Sequence, residues 1–183
     1  MILVKSPPRM HSQVPFFTTT ENKIDDFEHV PEDIADRLLV LYPIDNRLIS
    51  DFEYSCGTLR AQLIPRDIDY STVRPDYYTA SQVVQAISEM GYLLGGLSIL
   101  DNDFPSLPKW TYEIYLEKIT TLKCYYLKLD LTFRSTLLKS HKQVMTLGCK
   151  KARATTTRMI AKLQASVSNS FLAEGTFYVP LKK

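Results

Sequence analysis

Thr79-Ala80-Ser81-Gln82-Val83-Val84-Gln85-Ala86-Ile87-Ser88-Glu89-Met90-Gly91-Tyr92-Leu93-Leu94-Gly95-Gly96-Leu97 is the stretch of this 183-residue chain that decides its fold. Thr79 and Gln82 stand three apart, the spacing at which a hydroxyl and an amide reciprocally satisfy the orphaned N–H groups of a helix start. Behind that cap, Ala80, Val83, Val84, Ile87, Met90, Gly91, Leu94 and Leu97 recur at intervals of three and four, which predicts a long helix with one apolar stripe that must be buried. Glycine costs about 1 kcal/mol inside a helix relative to alanine, so each glycine needs a reason. Gly91 is expected as a close packing contact and Gly95-Gly96 as the helix end.

Downstream the period changes from helical to alternating. Tyr112 to Thr120 is expected as a strand. Leu127, Leu129, Leu131 and Phe133 are expected on one face of the next, with Lys128, Asp130, Thr132 and Arg134 on the other. Met145, Leu147 and Cys149 alternate with Thr146, Gly148 and Lys150; Met159, Ala161, Leu163, Ala165 and Val167 alternate with Ile160, Lys162, Gln164 and Ser166. A last strand runs from Leu172 to Val179. The bends at Ser140-His141 and Ala152-Arg153-Ala154 are short, so consecutive antiparallel pairing is the simplest topology.

Upstream, residues 1–29 mix Pro7, Pro8 and Pro15 with Thr18-Thr19-Thr20 and show no sustained period, which reads as an extended or poorly ordered arm. A helix is expected from Pro31, with Glu32 and Asp33 at its positive end and Ile34, Leu38, Val40 and Leu41 as apolar weight, stopped by Pro43. Gly57 to Ile64 reads as a strand. One domain over 30–183 follows, of α+β class: a long central helix wrapped by a curved antiparallel sheet of about five strands, the order of elements in the hotdog fold.

Composition narrows the function. Hydrophobic residues make up 45% and charged residues 23%, as in a soluble globular chain, and no uninterrupted apolar run reaches membrane-span length. The N-terminus has no signal-peptide pattern, so the cytoplasm is expected. Three scattered cysteines and three scattered histidines give no metal spacing, so no metal and no cofactor are expected, and the cysteines are read as thiols. Net charge is +2, unevenly spread: residues 1–130 hold 12 Lys/Arg and 19 Asp/Glu, whereas 131–173 hold 8 Lys/Arg and no acid. That basic segment suits either a phosphate-bearing partner or a solvated strand face. Nucleic acid fits poorly, with no aromatic-basic repeat. The phosphate-loop, dinucleotide, nucleophile-elbow and H-E-x-x-H motifs are all missing.

Tyr54-Ser55-Cys56, Tyr77-Tyr78-Thr79-Ala80 at the helix start, and Leu131-Thr132-Phe133-Arg134 leading on to Gly148-Cys149-Lys150-Lys151 together resemble the FcoT-like thioesterases over roughly residues 32–179. The resemblance implies a hotdog fold, subunits that pair sheet to sheet into a homodimer or higher oligomer, and hydrolysis of long-chain fatty acyl thioesters of coenzyme A or acyl carrier protein. It implies Tyr54, Tyr70 and Thr79 as catalytic positions. Tyr77, Ala80, Gln82, Val83, Arg134 and Lys150 are the expected substrate-binding positions. Tyr77 and Thr79 stand where the family pattern has a His and an Asn.

The residues themselves support a site at the helix start, because thioester hydrolysis generates an oxyanion and helix-terminal amides offer it positive potential. A general base is not evident: Asp76 also reads as support of the helix dipole, and Glu89 as a solvent-facing or subunit-contact residue. Two other readings stay open. One is hydration, dehydration or conjugate addition on an acyl thioester; the other is a non-catalytic acyl-binding module.

Overall fold

The computed structural model describes residues 26–67, 74–103, 111–121, 125–154 and 158–180. The order of elements is β1 (Glu28–His29), α1 (Glu32–Leu38), a 3-10 turn (Ile44–Asn46), β2 (Ile49–Ser55), β3 (Thr58–Leu63), α2 (Ala80–Leu100), α3 (Tyr112–Thr120), β4 (Tyr125–Phe133), β5 (Val144–Ala154), β6 (Arg158–Val167) and β7 (Phe171–Pro180). The seven strands form one antiparallel sheet in the order β1-β2-β3-β5-β6-β7-β4.

Within that sheet lies the hotdog pattern. β3 precedes the long helix, β4 follows it to the far edge, and β5, β6 and β7 fill the space between as a meander returning to β4. β1 and β2 extend the sheet beyond β3, giving seven strands among the described residues where about five are expected from sequence. Glu28 and His29 pair with Tyr54 and Glu53, so the last residues of the expected N-terminal arm belong to the sheet.

α2 begins where its cap predicts: Thr79 Oγ1 accepts the Gln82 N–H, and the Gln82 side chain accepts the Thr79 N–H at 3.0 Å. Its end corrects the sequence expectation, since the helix runs through Gly95-Gly96 to Leu100. A Cβ at Gly91 would stand 2.7 Å from the Tyr126 hydroxyl, one at Gly95 would strike the Tyr115 ring, and one at Gly96 would strike Leu38 of α1. All three glycines are therefore packing positions, and their helical cost is offset by the approach of α1, α3 and β4. α2 is long and apolar enough by length and composition to cross a membrane, and here it is the core helix under the sheet.

Tyr112–Thr120 is a second correction, a helix instead of the expected strand. Thr111 caps it by accepting the Ile114 N–H, and Tyr115 and Ile119, four apart, are fully buried. The alternation of Tyr112, Ile114 and Leu116 competes with that pair, and burial against α2 decides for the helix. α1 closes at Leu38, short of Pro43, and leaves Val40 exposed. β4 carries a register shift between Tyr126 and Lys128. This bulge turns Tyr126 toward α2, where its hydroxyl donates to the Ile87 carbonyl at 3.0 Å, so Leu127 leaves the face shared by Leu129, Leu131 and Phe133.

Candidate functional site at the start of the central helix

Asp76-Tyr77-Tyr78 leads into α2 and is held in place by the chain after β4. The Tyr78 N–H donates to Leu137 O at 2.8 Å, Lys139 N–H donates to Asp76 O at 2.7 Å, and Tyr77 bridges Leu138. Tyr78 turns inward: its hydroxyl donates to Leu63 O at 3.2 Å, and burial pushes its phenol up to about 12. Tyr77 stays 43% exposed. Between these two segments lies an open groove of about 490 Å³, lined by Tyr77, Thr79, Ala80, Phe133, Arg134 and the chain to Leu137. The structure thus brings Arg134, more than fifty residues further along the chain, to Tyr77, Thr79 and Ala80.

Other expected site residues lie elsewhere. Gln82 is buried; its Oε1 caps Thr79 and its Nε2 donates to Arg66 O at 2.7 Å, so the amide is used in tethering the chain after β3. Val83 is fully buried in the core. Lys150 sits on the outer face of the sheet, away from the helix, beside Lys128 and Lys162. Tyr70 lies outside the described residues.

Tyr54 is the largest departure. Its hydroxyl donates to the Asp103 carboxylate, lies 3.1 Å from Ser98 Oγ and accepts the Gly57 N–H at 3.1 Å. Burial, then the bond to Asp103, raises the Tyr54 phenol far above its ordinary value, and burial also raises the Asp103 carboxyl. Ser98 is nineteen residues along α2 from Thr79, about 28 Å at helical rise. Tyr54 and Thr79 therefore do not form one site. Tyr54 instead ties the C-terminal end of α2 to the β2–β3 turn, whose Cys56 and Gly57 have φ of 40° and 73°.

An apolar slot of about 40 Å³ runs between the second half of α2 and the sheet, lined by Gly91, Gly95, Ser98, Ala152, Ala161 and Phe177 among others. Cys149 also lines it; burial pushes this thiol up to about 12, so it behaves as an apolar wall. Neither Cys149 nor the exposed Cys56 is in a disulfide.

Glu89 overturns its sequence reading as a solvent-facing or subunit-contact residue. It has no exposed surface, accepts the Leu48 N–H at 2.9 Å and the Gln85 Nε2–H at 2.8 Å, and burial raises its carboxyl. The chain around the 3-10 turn covers it. Nothing local in the sequence announces that cover. No group of three or more metal-ligating side chains occurs among the described residues.

No family model and no curated protein matches the sequence. Among solved structures, the chain is similar to thioesterase superfamily member 2 from Mus musculus, with 8% identity, 82% of this chain and 96% of that one covered, and a TM-score of 0.49. It is similar to the HP0420 homologue from Helicobacter felis at 10% identity, 80% and 88% coverage and a TM-score of 0.48. It is also similar to a thioesterase superfamily protein from Shewanella loihica at 8% identity, 68% and 84% coverage and a TM-score of 0.39. These likenesses say nothing of this chain's activity.

Proposed function

We propose that this chain hydrolyses a fatty acyl thioester of coenzyme A or of an acyl carrier protein, as its resemblance to the FcoT-like thioesterases implies, in the groove at the start of α2. The observation that carries this reading is the meeting of the α2 N-terminus with Arg134 and Tyr77 around an open groove. Water adds to the thioester carbonyl, and the positive end of the 21-residue α2 lies beside the oxyanion that forms. Collapse of that intermediate breaks the C–S bond, and the departing thiolate takes the proton that the water gives up. Arg134 supplies a fixed positive charge for the thioester or a phosphate, and Tyr77 a hydroxyl with one apolar face.

We also propose that the working unit is a dimer. Among the described residues β4 is an edge strand paired only with β7, and it exposes Tyr125, Leu127 and Phe133 by 49%, 53% and 42%. An open, apolar edge of nine residues is a template for a second copy of itself.

The test is release of free thiol from acyl-CoA and acyl-carrier substrates across a range of chain lengths. Arg134→Ala is expected to lower kcat/KM about tenfold or more, the worth of a charge-assisted hydrogen bond. A protein that releases no thiol from any of these substrates ends the proposal. A mass change on the intact thioester would transfer it to hydration or addition.

A further inference from the structure

Strand register places six cations of the sheet's outer face close together. Lys151 stands opposite Lys162, Lys162 opposite Thr176, and Thr176 opposite Lys128, so one row across β5, β6, β7 and β4 carries three lysines, with Lys150 beside it. The next row is Arg153, Ile160, Tyr178 and Tyr125, and Arg158 follows on β6. Burial on alternate residues, at Ala152, Met159, Ala161, Leu163, Phe177 and Val179, puts these cations on the side away from α2.

At the spacings of a sheet the patch is on the order of 15 Å across. Asp130 and Glu174 stand opposite each other in the adjacent row, and Asp130 pairs with Lys128 at 2.6 Å. Like charges set directly opposite one another, as Lys151 and Lys162 are, work against a sheet. A depression of about 310 Å³ spans the lysine row and the acidic row beside it, lined by Lys128, Lys150, Lys162 and Thr176 together with Asp130 and Glu174. One row to the other side, the Tyr125 and Tyr178 rings lie 5.1 Å apart, tilted by 38°, with Tyr125 half exposed.

We propose that this outer face binds a nucleoside polyphosphate, its phosphates over the lysine row and its base on the Tyr125–Tyr178 pair. Two features select that ligand over an acidic protein surface: a concavity sized for a small molecule, and an aromatic pair with one ring half exposed in the row beside the lysines. The inference names the carrier half of the substrate, a nucleotide-bearing acyl thioester, and rests on the thioesterase reading for that identity. In a two-fold, antiparallel pairing of β4 with a second β4, the Tyr125 end of one strand lies beside Phe133 and Arg134 of its partner. A nucleotide on one copy then sits next to the other copy's groove.

The experiment is calorimetric titration of the full chain with coenzyme A and with adenosine 3′,5′-bisphosphate at low and high salt. Binding that weakens with salt is expected, with affinity falling at least tenfold in Lys162→Glu combined with Lys150→Glu, and also in Tyr125→Ala, while circular dichroism stays that of the parent. All three positions are exposed, so the fold is not at stake. No nucleotide binding, unchanged affinity in the variants, or capture of an acidic carrier protein or single-stranded DNA that nucleotide does not displace overturns the site. Nucleotide binding without thiol release from any acyl-CoA sinks hydrolysis and keeps the site; thiol release without nucleotide affinity does the reverse.

Discussion

The carboxylate of Glu89, three turns into α2, accepts the backbone N–H of Leu48 at 2.9 Å with no surface exposed to solvent. One helix side chain thus fixes the entry into β2, forty-one residues earlier in the chain. Gln82 and Gln85, on the same side of α2, likewise hold Arg66 O and Asn46 O.

Burial raises the Glu89 carboxyl above its unfolded value, so the folded state holds the proton more tightly than the unfolded one. The stabilisation associated with that proton is full below the ordinary carboxylate range and is lost as pH rises through the raised value. Stability is therefore expected to increase as pH is lowered from neutral toward that range. Glu89→Gln should flatten the slope, and Glu89→Ala should cost about 1–3 kcal/mol at any pH by leaving the Leu48 N–H unpaired. Urea unfolding between pH 4.5 and 8 checks both; parallel slopes for parent and Gln variant would show that Glu89 does not titrate in this way.

Gly95→Ala should destabilise the protein by about 1–3 kcal/mol, although alanine favours a helix, because the new methyl meets the rigid Tyr115 ring. Tyr115→Phe removes the hydroxyl that donates to Tyr92 O at 3.0 Å, and with it the nearest of the methyl's contacts, leaving those to the ring carbons. The double variant should lose less than the two single losses added. Strict additivity in thermal or chemical unfolding would contradict this contact.

Tyr54→Phe deletes the hydroxyl at the centre of its cluster, leaving Asp103 with Ser98 and the Gly57 N–H as its remaining partners. A loss of about 1–3 kcal/mol is expected. Amide exchange should quicken first at the C-terminal end of α2 and in the Cys56-Gly57 turn. Thiol release at the α2 start, about 28 Å away, should hold at temperatures where the variant is folded. A large loss of turnover in a folded Tyr54→Phe protein would restore Tyr54 to the reaction.

Leu127→Lys is expected to separate the proposed dimer, since it sets a charge beside the open edge of β4 on both copies. Light scattering after size exclusion would report the change. A parent chain that is already monomeric at micromolar concentration would remove the basis for β4 pairing.

What the sequence determined by itself is the local part. A capping pair and a 3.6-residue stripe specify α2 through contacts within a turn or two, and alternation specifies β5, β6 and β7 in the same way. Thr79, Tyr77 and Ala80 were legible as site candidates for that reason, being contiguous with a readable helix start. Arg134 was suggested by the basic segment and by family resemblance, and the pairing of Tyr78 with Leu137 is what carries it there. The tertiary structure alone decided the rest. It separated Tyr54 from Thr79, sealed Glu89, took Gln82 and Val83 out of the groove and turned Lys150 to the opposite face of the sheet. It also carried α2 through Gly95-Gly96 and made Tyr112–Thr120 a helix. Each of these rests on which distant segment lies against a residue, and that depends on pairing and burial across tens of residues, where local periodicity carries no information.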